Sequence, residues 1–352
     1  MKKWLKVALC ILLAVVLLVG GYVAYVFIDY HRLGDMTLTP THNADTAESG
    51  TVYTMISYNI GFGAYESDYG FFMDGGTESR AWSKERLTKN LTAISTFLQE
   101  QDADFYLLQE VDTGATRTYQ VDERTYFTEA LSGMSWVYCQ NYDSPYLMYP
   151  LLKPHGASHA GLMTFSTADI AAASRVELPI EGGFMKLLDL DRCYSVSRVP
   201  VSGSKELVLY NLHLSAYTSD GTIATEQLKL LLADMQAEYE SGNWCVAGGD
   251  FNKDLLGDSA AWFGEADQSY SWAQPIPAET FAGVDISLAA PLDENDPVPS
   301  CRNADGPYHE GQYVLTVDGF LTTPNVTVSQ ATVLDTGFAW SDHNPVKMTF
   351  TL

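Results

Sequence analysis

Nine short runs rich in β-branched and aromatic residues recur along the chain, and this abundance of strands limits the folds open to it. They are TVYTMISYNI, DFYLLQEV, GLMTFS, SRVEL, ELVLYNLHL, WCVAGG, YVLTVDGFLT, VTVSQATVL and VKMTFTL. Two segments have the three- and four-residue apolar spacing of amphipathic helices, SKERLTKNLTAISTFLQEQ and TEQLKLLLADMQAEYE. Because an alternating βαβ array would need more helices, the pattern predicts an α/β sandwich with mixed sheets.

The amino-terminal segment predicts one membrane-spanning helix. Residues 7–28 carry no charge, and Lys2, Lys3 and Lys6 precede them. A helix of this length covers about 33 Å, enough to cross the hydrocarbon core of a bilayer. The lysines are expected to stay in the cytoplasm. A cleaved signal peptide is the alternative, but the apolar run is long for one and ends in YVAYVFI, a poor cleavage site.

The composition of successive segments predicts four parts. Residues 1–6 form a cytoplasmic amino terminus, residues 7–28 a transmembrane anchor, and residues 29–50 a polar linker without periodicity. Residues 51–352 form one globular domain. The expected location is therefore the cell membrane, crossed once, with the domain outside the cytoplasm.

The net charge of −24 argues against a surface built to grip a phosphate backbone. There is no run of Lys or Arg, and Arg117, Arg124 and Lys153 are predicted to be solvated surface charges. His155 and His159 either touch a substrate or lie in a polar loop. If the substrate carries phosphate, a local cation must oppose the global field, and a bound metal ion is the candidate.

Five cysteines are present, and Cys10 lies in the apolar amino-terminal run. The absence of CxxC spacing argues against a zinc site. Cys139, Cys193, Cys245 and Cys301 are either buried free thiols or include one disulfide.

Several strand-like runs end in polar residues that packing alone would not select. They include Asn59, Gln109, Glu110, Asn211, His213, Asp250, Asn252, Asp318, Asp342 and His343. Singly, each fits a turn, a cap or a satisfied core residue. Together, their carboxylate and amide oxygens suit Mg²⁺ or Mn²⁺. Asp318 lies in an apolar run and needs a partner, and pairing with His343 would make that imidazole a usable base.

The motifs SYN, LLQE, NLHL, GGDFN, VDGFL and SDHNPV occur in that order. They resemble the endonuclease/exonuclease/phosphatase superfamily, the deoxyribonuclease I-like metal-dependent phosphodiesterases, from about Thr51 to the carboxyl end. The resemblance implies a four-layer α/β sandwich, with two packed mixed sheets flanked by helices and a cleft at one end. Gly248 and Gly249 would then allow a tight turn at the rim of that cleft.

The resemblance also implies roles for the polar residues and Mg²⁺ or Mn²⁺ as the cofactor. The implied metal ligands are Asn59, Glu110, Asp250 and Asp342, and the implied catalytic residues are His213, Asp250, Asn252, Asp318 and His343. His213 and Asn252 would contact the phosphoryl group. Asp250 would act on the attacking water or bind a second metal, and His343, oriented by Asp318, would be a base or a phosphate clamp. The number of metals and the identity of the base stay open.

These features predict a membrane-tethered, extracytoplasmic, divalent-metal-dependent phosphoester hydrolase. Its substrate would be nucleic acid, a nucleotide, or a lipid or inositol head group. The amino-terminal helix implies contact with a membrane, and no motif indicates a protein partner. The alternative is a catalytically inactive binding or scaffold module of the same fold, which the complete residue set argues against.

Overall fold

The computed structural model describes residues 3–182, 190–203, 205–216, 222–264 and 273–352. Its helices are α1 (Lys3–Asp29), α2 (Lys84–Gln101), α3 (Arg124–Ala130), α4 (Thr222–Glu240) and α5 (Ser259–Phe263). Its strands are β1 (Met36–Leu38), β2 (Val52–Asn59), β3 (Phe105–Asp112), β4 (Ser135–Asp143), β5 (His159–Ser166), β6 (Ala172–Glu177), β7 (Cys193–Val201), β8 (Lys205–His213), β9 (Trp244–Asp250), β10 (Ser287–Ala289), β11 (Cys301–Arg302), β12 (Val314–Leu315), β13 (Asp318–Thr322), β14 (Thr327–Val333) and β15 (Val346–Thr351).

Two mixed sheets form the centre of the domain. One has the strand order β1-β6-β7-β8-β9-β13-β10, and the other has the order β14-β15-β2-β3-β5-β4. Within them, β2 and β3 run parallel, as do β8 and β9, while their other neighbours are antiparallel. The predicted α/β sandwich with mixed sheets is confirmed.

Three layers of buried apolar side chains form most of the core. Between the sheets, Met55, Leu107, Leu209, Val246 and Phe320 pack in one buried cluster. The outer face of the six-stranded sheet packs against α2, and the outer face of the seven-stranded sheet packs against α4. Side chains alternate along each strand, so one strand can serve both an inner and an outer layer. The helices therefore flank the two sheets, as the resemblance implied.

Helix α1 stands apart from this core. Nearly all its apolar side chains are exposed, and it is long and apolar enough to span a membrane. A signal sequence near the amino terminus would have the same character. The structure thus provides one candidate membrane span.

Residues 29–50, which the sequence predicted to be a polar linker without periodicity, pack along the domain. Strand β1 within this segment pairs with β6. The Thr41 amide donates to the Trp136 carbonyl at 2.8 Å, and the Ala47 amide donates to the Pro200 carbonyl at 2.9 Å. These contacts use the backbone and need no side-chain pattern. A three-residue edge strand is also too short to show a period.

Candidate active site

The polar strand ends meet because of how the two sheets are arranged. Asn59 and Gln109 are paired at the ends of parallel β2 and β3, and His213 and Asp250 are paired at the ends of parallel β8 and β9. The sheets pack face to face, so both pairs lie at one end of the sandwich. Asp318 opens β13 opposite Asp250. The fold thereby gathers residues that are nearly three hundred positions apart.

A backbone irregularity turns Glu110 toward this end. The register between β3 and β5 shifts between Leu108 and Val111, and Glu110 has a φ of 58°. A bulge of this kind redirects a side chain away from the regular alternation of the strand. A positive φ is costly for a residue with a side chain, and such strain concentrates at functional sites.

Asn59 links Glu110 and Asp250. Its Nδ2 donates to Glu110 Oε1 at 3.3 Å and to Asp250 Oδ2 at 3.1 Å. Its Oδ1 accepts from the Gly61 amide at 3.0 Å, and this bond sets the orientation of the carboxamide. In this arrangement Asn59 positions the carboxylates, and ligation of a metal by its oxygen would require a different orientation.

Asp318 and His343 form a buried pair beside Asp250. His343 Nδ1 donates to Asp318 Oδ2 at 2.8 Å, and the Ser300 hydroxyl donates to the same oxygen at 2.7 Å. Burial lowers the pKa of His343, but the Asp318 carboxylate outweighs it, and the pKa lies well above its usual value. The imidazole is therefore protonated at neutral pH. Its Nε2 lies 3.8 Å from Asp250 Oδ2.

The remaining residues complete the floor of the site. His213 Nε2 lies 3.4 Å from Asp250 Oδ2, and burial lowers the pKa of His213, so its ring is neutral. The Asn252 amide donates to Asp250 Oδ1 at 2.8 Å, and Asn252 Nδ2 donates to the Leu214 carbonyl at 2.8 Å. Asp342 Oδ1 accepts from the Ser341 hydroxyl at 3.2 Å.

The cleft itself encloses about 170 Å³. Seven of the eight predicted site residues line it, and Asp318 lies behind His343. Aromatic and apolar side chains form part of its wall, including Phe62, Phe71 and Met73. A polar floor under an apolar wall is typical of a substrate pocket.

Gly249 is required at the end of β9. It has a φ of 153°, and a Cβ there would lie 2.0 Å from the Leu212 carbonyl oxygen. A larger residue would push β9 away from β8 and displace Asp250 from His213. This close approach explains why glycine precedes the carboxylate.

The acidic floor fits a divalent cation. Burial raises the pKa of Asp250 to about 7, and burial also raises the pKa of Glu110. Concentrating carboxylates out of water is unfavourable unless positive charge answers them. Glu110, Asp250 and Asp342 supply the oxygen donors that Mg²⁺ or Mn²⁺ prefers. Ligand atoms of Asp250, Asp318 and His343 also lie within 4.8 Å of one another, but Asp318 and His343 already bond to each other.

The prediction that Arg117 is a solvated surface charge is wrong. It is buried, donates to both Asp112 oxygens at 2.8 and 3.0 Å, and lies 3.9 Å over the Phe62 ring. It also lines the cleft, as do Arg192 and Tyr142, which sequence reasoning missed. The available signal for Arg117 was Asp112, which lies two positions after Glu110 at the end of the same apolar run. A carboxylate buried there needs a basic partner.

The other basic candidates have structural partners. Arg124 pairs with Asp122 at 2.7 Å, and Lys153 pairs with Glu78. His155 is buried with Nδ1 2.8 Å from the Ser79 carbonyl, and it lines the cleft. His159 is partly exposed and lies 3.1 Å from Asp143.

The four cysteines of the domain are buried free thiols. Cys139 and Cys193 lie closest, with their sulfur atoms 3.6 Å apart. Cys301 contacts His343 Nε2 at 3.6 Å.

Comparison with known proteins decides the family. The family model described as endonuclease/exonuclease/phosphatase matches residues 56–343, which include every predicted site residue. The chain belongs to this family. Members of the endonuclease/exonuclease/phosphatase family are phosphoester hydrolases, and the fold supports the same activity here.

Solved structures agree on the fold of this family member. ANGEL2, a 2′,3′-cyclic phosphatase in complex with adenosine-2′,3′-vanadate, has 15% identity and a TM-score of 0.56, covering 90% of this chain and 99% of its own. The human Nocturnin catalytic domain with bound sulfate has 16% identity and a TM-score of 0.53, with coverage of 88% and 97%. A family protein from Leptotrichia buccalis has 11% identity and a TM-score of 0.55, with coverage of 85% and 100%. No curated protein is significantly similar in sequence to this chain.

Proposed function

We propose that this family member is a membrane-tethered, extracytoplasmic, divalent-metal-dependent phosphoester hydrolase. The observation that carries the proposal is the meeting of Glu110 and Asp250 across Asn59, with His213 and the Asp318–His343 pair beside them. Such a set can hold a hard cation, a phosphoryl group and a water molecule together. The vanadate and sulfate bound in two similar structures support an oxyanion site in this fold.

The protonation state of each residue suits it to a different role in phosphoester hydrolysis. Asp250, with a pKa of about 7, suits the acceptance of a proton from the attacking water. His343, with its raised pKa, suits the binding of phosphoryl oxygens, while neutral His213 has its Nε2 3.4 Å from Asp250 Oδ2. Glu110 and Asp342, with Asp250, would hold Mg²⁺ or Mn²⁺, which supplies charge neutralisation at the phosphoryl oxygens when bound.

The amino-terminal helix supports the tethered state. Tyr25 accepts from the Tyr146 amide at 3.0 Å, so α1 is hydrogen-bonded to the domain. Cleavage of α1 as a signal sequence would break this contact. The lysines before the apolar run favour a cytoplasmic position for that end and an extracytoplasmic position for the domain.

The test is hydrolysis of bis(p-nitrophenyl) phosphate by the full chain in nanodiscs with Mg²⁺. We expect EDTA to abolish turnover and Asp250→Asn to reduce it by about 10²–10⁴. Asp122→Asn is the matched control, since Asp122 is a partly exposed carboxylate paired with Arg124. Turnover unchanged by EDTA and by Asp250→Asn would contradict the proposal. Metal binding without turnover of this ester or of nucleotide, nucleic acid and lipid esters would fit the inactive scaffold instead.

A further inference from the structure

The segment from Tyr146 to Leu152, here termed the apolar loop, exposes a run of large apolar side chains. Leu151 and Leu152 are 79% and 102% exposed, and Tyr146, Met148 and Tyr149 are exposed as well. Soluble proteins rarely leave such a contiguous apolar patch in water, and it marks an interaction surface.

The apolar loop has a defined conformation. Leu147 and Gly156 exchange backbone hydrogen bonds of 3.1 and 3.0 Å, and the His155 amide donates to the Tyr149 carbonyl at 3.0 Å. These backbone groups of the apolar loop thus have hydrogen-bond partners in the residues that follow it. The conformation directs Leu151 and Leu152 outward.

Hydrogen bonds join the apolar loop to the last turns of α1. The Tyr22 hydroxyl donates to the Tyr146 carbonyl at 3.1 Å and accepts from the Met148 amide at 3.1 Å. Tyr22 lies about 10 Å along the helix before Asp29, the first charged residue after the apolar run. If α1 spans a bilayer, Tyr22 lies at the depth where tyrosines mark the membrane interface. The apolar loop then lies at the same depth.

The cleft opens close to this surface. The Phe72 ring lies 5.7 Å from the Tyr149 ring, and its neighbours Phe71 and Met73 line the cleft. His31, two residues after α1, lies 3.2 Å from Asp143, which follows the cleft residue Tyr142.

A second contact joins the chain after α1 to a residue next to the cleft. Arg32 lies 3.7 Å from Asp191, which precedes the cleft residue Arg192. The chain directly after α1 therefore contacts two residues that are sequence neighbours of cleft residues.

We propose that the apolar loop inserts into the leaflet that holds the end of α1 and keeps the cleft against the bilayer, so that the substrate is a phosphoester of a membrane lipid. This inference rests on the proposed function, on its membrane tether for the insertion and on its hydrolase activity for the substrate class. Lipid fits the apolar wall of the cleft. The net charge of −24 disfavours approach by a polynucleotide.

The first experiment measures insertion. The full chain carries Cys10→Ala and Leu152→Cys, is labelled with an environment-sensitive fluorophore, and is placed in nanodiscs of phosphatidylcholine, phosphatidylglycerol and phosphatidylinositol phosphate in equal parts. Leu230→Cys in the same background is the control, because Leu230 is an exposed leucine on α4. We expect a blue shift and quenching by spin-labelled lipid at position 152 and neither at position 230. Equal, water-like spectra would overturn the insertion.

The second experiment measures hydrolysis in the same nanodiscs and of bis(p-nitrophenyl) phosphate in solution. We expect the unmodified chain to hydrolyse a lipid phosphoester, and Leu151→Asp with Leu152→Asp to slow lipid hydrolysis about tenfold or more. The soluble ester should be hydrolysed at an unchanged rate, and Leu230→Asp should alter neither reaction.

The outcomes separate the two proposals. Hydrolysis of the soluble ester with no lipid hydrolysis overturns the lipid inference and leaves the proposed function standing. No hydrolysis of either overturns both. Lipid hydrolysis that the double substitution leaves unchanged overturns the role of the apolar loop.

Discussion

Glu110 and Asp112 are carboxylates two residues apart on β3, yet the fold treats them differently. Asp112 is fully buried and accepts two hydrogen bonds from Arg117 and one from Thr118 at 3.0 Å. The Glu110 side chain is 22% exposed and faces the cleft, and it accepts a 3.3 Å hydrogen bond from Asn59.

The difference separates a structural carboxylate from the one proposed to bind metal. Asp112 has a cation built into the chain, and the pair fixes the loop that follows β3. Glu110 has no such cation in bonding contact among the described residues, and burial raises its pKa. The Glu110 carboxylate can therefore be stabilised by a bound metal ion.

The largest expected effect is on turnover. Glu110→Gln should lower kcat/KM by about 10²–10⁴ because a proposed metal ligand is lost. The fold should persist, since the amide keeps the shape of the side chain. Turnover and circular dichroism measured on the same preparation check this. A variant with near-normal turnover would remove Glu110 from the metal site.

Asp112→Asn should mainly destabilise the fold. Arg117 would stay buried without its carboxylate, and breaking a buried pair costs about 3–5 kcal/mol of unfolding free energy. Denaturant unfolding checks this, with Asp122→Asn as the control for a partly exposed pair. Combining Asp112→Asn with Arg117→Met should recover part of the loss. A stability equal to that of the control would show that the pair is not structural.

Magnesium should stabilise the protein through Glu110. At a metal concentration of about one hundred times Kd, binding adds about 2.7 kcal/mol to the unfolding free energy. We expect this gain in the unmodified chain and in Asp122→Asn, and its loss in Glu110→Gln. Thermal unfolding with and without Mg²⁺ measures it. An equal gain in Glu110→Gln would place the ion elsewhere.

The pH profile should give the smallest of these effects. Asp250 has a raised pKa of about 7 in the metal-free protein, and a bound cation would lower it, so the proposed base is protonated and lost as pH falls to that value or below it. We expect kcat/KM to decline about tenfold per pH unit on the acid side. Asn59 donates to Asp250 and lowers its pKa, so Asn59→Ala should move the acid limb to higher pH. An unmoved limb would exclude Asp250 as the titrating group.

Much of the architecture could be predicted because its signals are local. The apolar runs of β2, β3, β8 and β9 and the periodic leucines of α2 and α4 show in short windows of sequence. Strands as short as β1, β11 and β12 do not, since two or three residues carry no period. Residues 29–50, predicted to be a linker, show no period for the same reason, and β1 within them pairs with β6.

Some features of the candidate site could also be predicted from the sequence, and others could not. The sequence by itself determined which residues end the strands, and the order of the motifs indicated the family. Only the tertiary structure decided that Arg117 pairs with Asp112 while Glu110 turns into the cleft, and that the apolar loop lies against α1. Partner choice depends on which segments meet in space, and residues far apart in sequence leave no local pattern that records it.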